Sequence, residues 1–227
     1  VMDDADLDLA VTLALGGAFG GTGQKCTASS RLVVHEAVHD ACVEKLVAGT
    51  RAMKVGHALG EGTQMGPVVS QQQLYENLAY VDLGKSEGAE LACGGQRLEM
   101  PHNGFYMSPG VFLNTTNDMR INQEEMFAPL TSVIKVGSFD EALAVVNDTN
   151  FGLTSGIVTQ SLARATHFRR NAQTGVVTVN LPTAGTDYHV PFGGRGDSSY
   201  GPREQGKAAA AFYTTVKPAY ISAGDAY

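Results

Sequence analysis

Cysteine is scarce in this chain, with three in 227 residues, at Cys26, Cys42 and Cys93. An odd count at wide spacing argues against a disulfide framework and for a reducing compartment, so cytoplasmic localisation is the expectation. Basic residues are also few. Sixteen lysines and arginines against 23 acids leave a formal charge of -7. With no basic stripe, that balance argues against a nucleic-acid partner. No apolar run is long enough to span a membrane. There is no internal repeat and no low-complexity linker. What remains is a globular composition, 43% hydrophobic and 17% charged, in a chain long enough to bury a substantial core as one domain.

The pattern along the chain alternates strands and helices. Asp3-Asp4 and the apolar run to Phe19 read as an acid-capped, mostly buried helix. A glycine-rich turn follows. Residues 31–35 read as a β-branched strand and 36–52 as a helix. A second long helix is expected over 71–87 and a strand over 89–93. Residues 106–114 are extended, and 130–136 is a strand. Ser138 with Glu141 three places on marks a helix start, running to about Asn147. A strand over 153–159, a helix over 161–172 and a strand over 175–180 follow. This order predicts an α/β fold, a mostly parallel sheet with helices on both faces. Residues 1–208 form that domain. Residues 209–227 stand apart, because Phe212 to Ile221 is β-rich; an edge strand is the plainer alternative there.

The run Gly20-Gly21-Thr22-Gly23-Gln24-Lys25-Cys26-Thr27-Ala28-Ser29-Ser30-Arg31 carries the chemistry. A glycine-rich turn delivers a thiol among small and hydroxyl side chains, beside a lysine. Small neighbours let a substrate approach, and a cation favours the reactive thiolate. Most single cysteines are small buried hydrophobes, but these flanks are not apolar. Other motifs fail on context. His35-Glu36-Ala37-Val38-His39 matches a zinc-protease pattern, yet His35 closes a strand and no third ligand follows, so no metal site is expected. Arg195-Gly196-Asp197 reads as a turn. The glycosylation patterns at Asn114 and Asn147 would go unused in a cytoplasmic protein. The glycines from Gly16 to Gly23 follow a helix and lack the Gly-Lys-Ser/Thr step of a phosphate loop.

Three blocks resemble one family. Gly23-Gln24-Lys25-Cys26 is similar to the Gly-Gln-x-Cys nucleophile motif of the aldehyde dehydrogenases. Glu124-Glu125-Met126-Phe127-Ala128-Pro129 resembles their Glu-Glu-x-Phe-Gly-Pro segment, and Pro191-Phe192-Gly193-Gly194 their Pro-Phe-Gly-Gly turn. The resemblance runs from about Asp3 to Tyr220. Gln24 to Arg31 and Asn180-Leu181-Pro182-Thr183-Ala184-Gly185 point to the α-ketoglutaric semialdehyde dehydrogenases within it. Gly21, Ala128 and the Gly196-Asp197 step depart from the pattern.

The resemblance implies a role for each matching residue. Cys26 is the nucleophile that forms a thiohemiacetal and then a thioester, with its own N–H as an oxyanion donor. Glu125 and Phe127 bind the nicotinamide ribose and ring of NAD or NADP. Asn180 and Phe192 line the substrate tunnel, and the loop with Pro182, Thr183, Tyr188 and His189 shapes specificity. Arg195 or His189 is the candidate cation for a substrate carboxylate. The C-terminal strand pairs subunits of a homo-oligomer. The resemblance also implies that the dinucleotide-binding domain, the general-base glutamate and an oxyanion asparagine belong upstream of Val1, which leaves the isolated chain inactive. Two other readings stay open: a thiol-dependent thioesterase or esterase domain needing no nicotinamide, and a non-catalytic fragment that only assembles.

Overall fold

The computed structural model describes residues 1–224. Its centre is a four-stranded sheet in the order β1-β4-β3-β2, from β1 (Arg31–His35), β2 (Glu90–Cys93), β3 (Gly110–Thr115) and β4 (Leu130–Val136). β1 and β3 both run parallel to β4, and β2 closes the far edge antiparallel to β3. A second pair, β6 (Thr154–Ile157) and β7 (Val176–Val179), is also parallel. Val1 and Met2 join the two sheets. His35 N–H donates to Val1 O at 3.0 Å and Met2 N–H donates to Val158 O at 3.1 Å. A short antiparallel pair, β5 (Phe151–Gly152) with β8 (Arg195–Gly196), lies beside them.

Alternation along the central strands sends successive side chains to opposite faces. Val34, Val111 and Val133 pack under α1 (Leu7–Phe19) and α2 (Glu36–Ala52). Phe112 and Leu130 point the other way, onto α3 (Gln71–Ser86) and α4 (Arg120–Gln123). Val33, Ile134 and Val136 share that face with α5 (Phe139–Asn147) and α6 (Leu162–Asn171). Both faces are therefore covered, as the β-branched runs require.

Two expectations need correcting. Asp3 and Asp4 do not cap α1. Asp6 does, accepting from the N–H of Asp8 and Leu9. Asp3 instead pairs with Arg164, and Asp4 accepts from the Thr159 hydroxyl at 2.7 Å. Within this chain residues 212–221 also form no edge strand. Four alanines, Ala208 to Ala211, favour helix and carry Phe212 and Tyr213 into α7 (Ala208–Tyr213). Residues 214–224 hold no strand, and a ladder needs a second strand that none of the described residues supplies. Val216, Tyr220 and Ile221 are left almost fully exposed. The expected strand over 153–159 forms in shorter compass as β6, with β5 just ahead of it at Phe151–Gly152.

Candidate active site

Cys26 sits where the end of α1 turns back toward β1. A tight 3-10 turn, Gly20–Gly23, closes the helix, with Gly21 and Thr22 both at φ +63°. Glycine takes that conformation freely, whereas a β-branched threonine there is strained. Thr22 is buried, and its hydroxyl faces the carbonyls of Gly66 and Pro67 at 3.4 Å. Gln24 accepts from Val69 N–H at 3.1 Å. A second turn, closed by Ala28 N–H to Lys25 O at 2.9 Å, buries Thr27 and lifts Cys26 into solvent. Among the described residues the Cys26 N–H has no acceptor, so it is free to donate to an oxygen beside the sulfur. The other two thiols differ. Cys42 and Cys93 are buried, and burial pushes both thiols up from their ordinary range.

The turn is pressed against the segment that carries Glu125 and Phe127. Gly23 has φ +67°, and a Cβ there would come within 2.0 Å of the Ala128 carbonyl oxygen. Only glycine fits. Across that contact, Met126 and Ala128 are buried while Glu125 and Phe127 face outward. Phe127 is held at φ +50° and stays 38% exposed, an unusual state for a large apolar residue and one found at functional sites. The two adjacent glutamates divide sharply. Glu124 accepts from Arg120 Nε at 2.6 Å and from the Tyr80 hydroxyl at 3.2 Å. The Arg120 hydrogen bond holds its carboxyl below the ordinary range. Glu125 has no hydrogen bond or ion pair among the described residues.

A cavity of about 400 Å³ opens over this arrangement, and Cys26, Glu125, Phe127, Leu181, Pro182 and Thr183 all lie on its wall. That is the size of a small-molecule site. The other expected residues lie elsewhere. Asn180, at φ +52°, accepts from Thr159 N–H and donates to Thr159 O, both at 3.0 Å. One donor and one acceptor site of its amide are thereby used, and it is not on the wall. Phe192 exchanges backbone hydrogen bonds with Glu204 at 2.7 and 2.8 Å and is off the wall too. Tyr188 is 84% exposed with His189 edge-on at 5.6 Å, and neither His189 nor Arg195 reaches the cavity. Sequence reading also missed the contact of Ser29 with Thr183, whose hydroxyls lie 2.8 Å apart. Its trace in the sequence is the smallness of Gly17, Ser29 and Gly156. Among the described residues there is no cluster of three metal-ligating side chains and no helix long and apolar enough to cross a membrane.

An exposed thiol on a glycine turn thus lines one cavity with an exposed ring and with a carboxylate that has no partner among the described residues. Comparison with known proteins gives the family. Residues 1–219 match the aldehyde dehydrogenase family model, and the chain belongs to that family. It is 43% identical over 223 residues to an alpha-ketoglutaric semialdehyde dehydrogenase of Bacillus subtilis, covering 97% of this chain and 46% of that protein. It is 40% identical over 226 residues to a betaine aldehyde dehydrogenase of Brucella anthropi, covering 99% of this chain and 46% of that protein. The chain thus spans about half the length of the curated relatives it matches. Among solved structures, an NAD-dependent aldehyde dehydrogenase from Sinorhizobium meliloti superposes on all of it with TM-score 0.94 at 33% identity, over 44% of that chain.

Proposed function

We propose that this chain is the thiol-bearing part of an NAD- or NADP-dependent aldehyde dehydrogenase that oxidises a semialdehyde, of the 2-oxoglutarate semialdehyde class, to its acid. The observation that carries the reading is the pairing of an exposed Cys26 with an unpartnered Glu125 on one cavity wall. Cys26 adds to the aldehyde carbon, and its own N–H donates to the oxygen that becomes negative. Glu125 and Phe127 fit a nicotinamide nucleotide. A free carboxylate is the acceptor that a ribose diol needs, and the ring offers an apolar edge at which to set the base. When bound, such a nucleotide would supply the hydride acceptor for the carbon attached to sulfur. Cys26 then holds the acyl group as a thioester until water releases it.

The free Glu125 favours this reading over an esterase that needs no nucleotide. The semialdehyde rests on the similarity to the Bacillus subtilis protein and on Leu181, Pro182 and Thr183 at the cavity mouth. Cytoplasmic localisation and assembly with further copies belong to the same proposal. With Glu125 assigned to the ribose, none of the described residues is assigned to activate water at the thioester, and we expect no turnover from the 227-residue chain alone. The test is NADH or NADPH formation from 2-oxoglutarate semialdehyde and betaine aldehyde. The chain alone gives none. A polypeptide joining it to a nucleotide-binding domain of this family gives a signal that Cys26→Ala abolishes. Robust NADH formation by the 227 residues alone, or a signal indifferent to Cys26→Ala, overturns the proposal.

A further inference from the structure

We infer that the Ser29–Thr183 hydroxyl pair is a latch that sets the width of the entrance to Cys26, making both residues positioning residues for the thiol's chemistry. The inference rests on the cavity geometry and on the proposal that Cys26 is the nucleophile. Three observations converge. First, the segment Leu181–Thr183 is a strap hung between two anchors. At one end Asn180 is fixed by both its amide atoms to the Thr159 backbone and by its N–H to Ile157 O at 2.9 Å. At the other end Thr183 Oγ1 lies 2.8 Å from Ser29 Oγ. Secondly, Ser29 is three residues beyond Cys26, and its N–H is tied to Gly17 O on α1 at 3.1 Å. The second anchor is therefore part of the thiol's own loop. Thirdly, two glycines leave room for the pair. A Cβ at Gly17 would lie 2.6 Å from Ser29 Oγ, and one at Gly156 would lie 3.2 Å from Thr183 Cγ2.

Between the anchors, Leu181 and Pro182 make no hydrogen bond from the strap to the rest of the described chain, and Leu181 is 63% exposed. Both line the cavity that holds Cys26. Among the described residues the latch is then the one side-chain hydrogen bond that fixes the outer end of the strap on the cavity it shares with the thiol. Losing it lets the strap swing while Cys26 and its turn stay in place.

The test uses two maleimides that share an electrophile and differ in bulk, N-methylmaleimide and N-(1-pyrenyl)maleimide. Alkylation of Cys26 is followed by peptide mass mapping on the 227-residue chain, alongside its thermal melt. In the parent chain the bulky reagent is disfavoured. Thr183→Val removes the hydroxyl at nearly constant shape. We expect it to raise the bulky-to-small rate ratio about fivefold, the equivalent of ~1 kcal/mol for one hydrogen bond. Ser29→Ala does the same, the double variant adds nothing further, and Thr183→Ser restores the parent ratio. An unchanged ratio in both single variants, additive effects in the double variant, or Thr183→Ser behaving like Thr183→Val overturns the latch. Because maleimide addition needs no aldehyde and no nucleotide, these outcomes stand apart from failure of the dehydrogenase proposal. That proposal fails on the NADH assay.

Discussion

Replacing Gly23 by alanine separates the backbone requirement of the thiol turn from everything else around it. Two costs add. An L-residue at φ +67° costs ~1–2 kcal/mol. A methyl placed 2.0 Å from the Ala128 oxygen forces the turn and the Glu125 segment apart, and overpacking of that kind costs ~1–3 kcal/mol. Together the expected loss is ~2–5 kcal/mol, or a fall of roughly 4–20 °C in Tm at ~2–4 °C per kcal/mol for a chain of this size. The same chain supplies the control. Gly16 is in the last turn of α1 with nothing within 4 Å of its would-be Cβ, so Gly16→Ala gains up to ~0.5–1 kcal/mol from helix entropy alone. Both variants are read by thermal circular dichroism and by the rate of Cys26 alkylation. Gly23→Ala lowers Tm and changes the alkylation rate, while Gly16→Ala raises Tm and leaves the rate alone. A Gly23→Ala chain that melts with the parent and alkylates at the same rate would refute the contact between the turn and Ala128 as the element that places the thiol.

Other outcomes follow from particular contacts. Cys26→Ala leaves the unfolding free energy within ~0.5 kcal/mol of the parent, because the side chain is exposed and packs no core; differential scanning calorimetry checks this. Asn180→Ala loses two hydrogen bonds to Thr159 and keeps the left-handed backbone, so it costs ~2–4 kcal/mol in urea unfolding. Glu125→Gln leaves stability unchanged for want of a partner, yet weakens nucleotide binding in a polypeptide that also carries a nucleotide-binding domain, measured by titration calorimetry. The buried thiols set an alkaline limit. Cys42 and Cys93 are raised by burial, so the folded state keeps their protons after the unfolded state has lost its own. Their contribution is complete below the unfolded thiol value and shrinks as pH rises above about 8.5; Cys42→Ala moderates that alkaline loss in urea midpoints measured from pH 7 to 10.

The elements were legible wherever one local signal decided them. Arg31–His35, Glu36–Ala52 and Leu130–Val136 fall where β-branched runs and helical spacing put them, and Ser138 caps α5 through the N–H of Glu141 at 3.1 Å. The strand character of the run over 212–221 is conditional. β-rich side chains make a strand only when a ladder partner exists, and the alanines before Phe212 decide the local structure without one. In the site, the blocks around Cys26 and Glu125 were visible because each is contiguous. Asn180 and Phe192 lie off the cavity wall, and their partners are distant in sequence: the Asn180 amide meets Thr159 and the Phe192 backbone meets Glu204, each more than ten residues away. The Ser29–Thr183 contact spans 154 residues, and its trace, the small residues Gly17, Ser29 and Gly156, is scattered over distant segments.

Aldehyde protection of the Cys26 thiol asks most directly whether this sulfur adds to a carbonyl. The chain is incubated with 2-oxoglutarate semialdehyde, or with 2-oxoglutarate as an anion of similar shape without the aldehyde, and iodoacetamide labelling of each cysteine is timed by mass spectrometry. We expect the semialdehyde to slow labelling at Cys26 in a saturable way, the diacid to leave it unchanged, and Cys42 and Cys93 to be indifferent to both. Equal labelling of Cys26 with and without the aldehyde would contradict its assignment as the nucleophile.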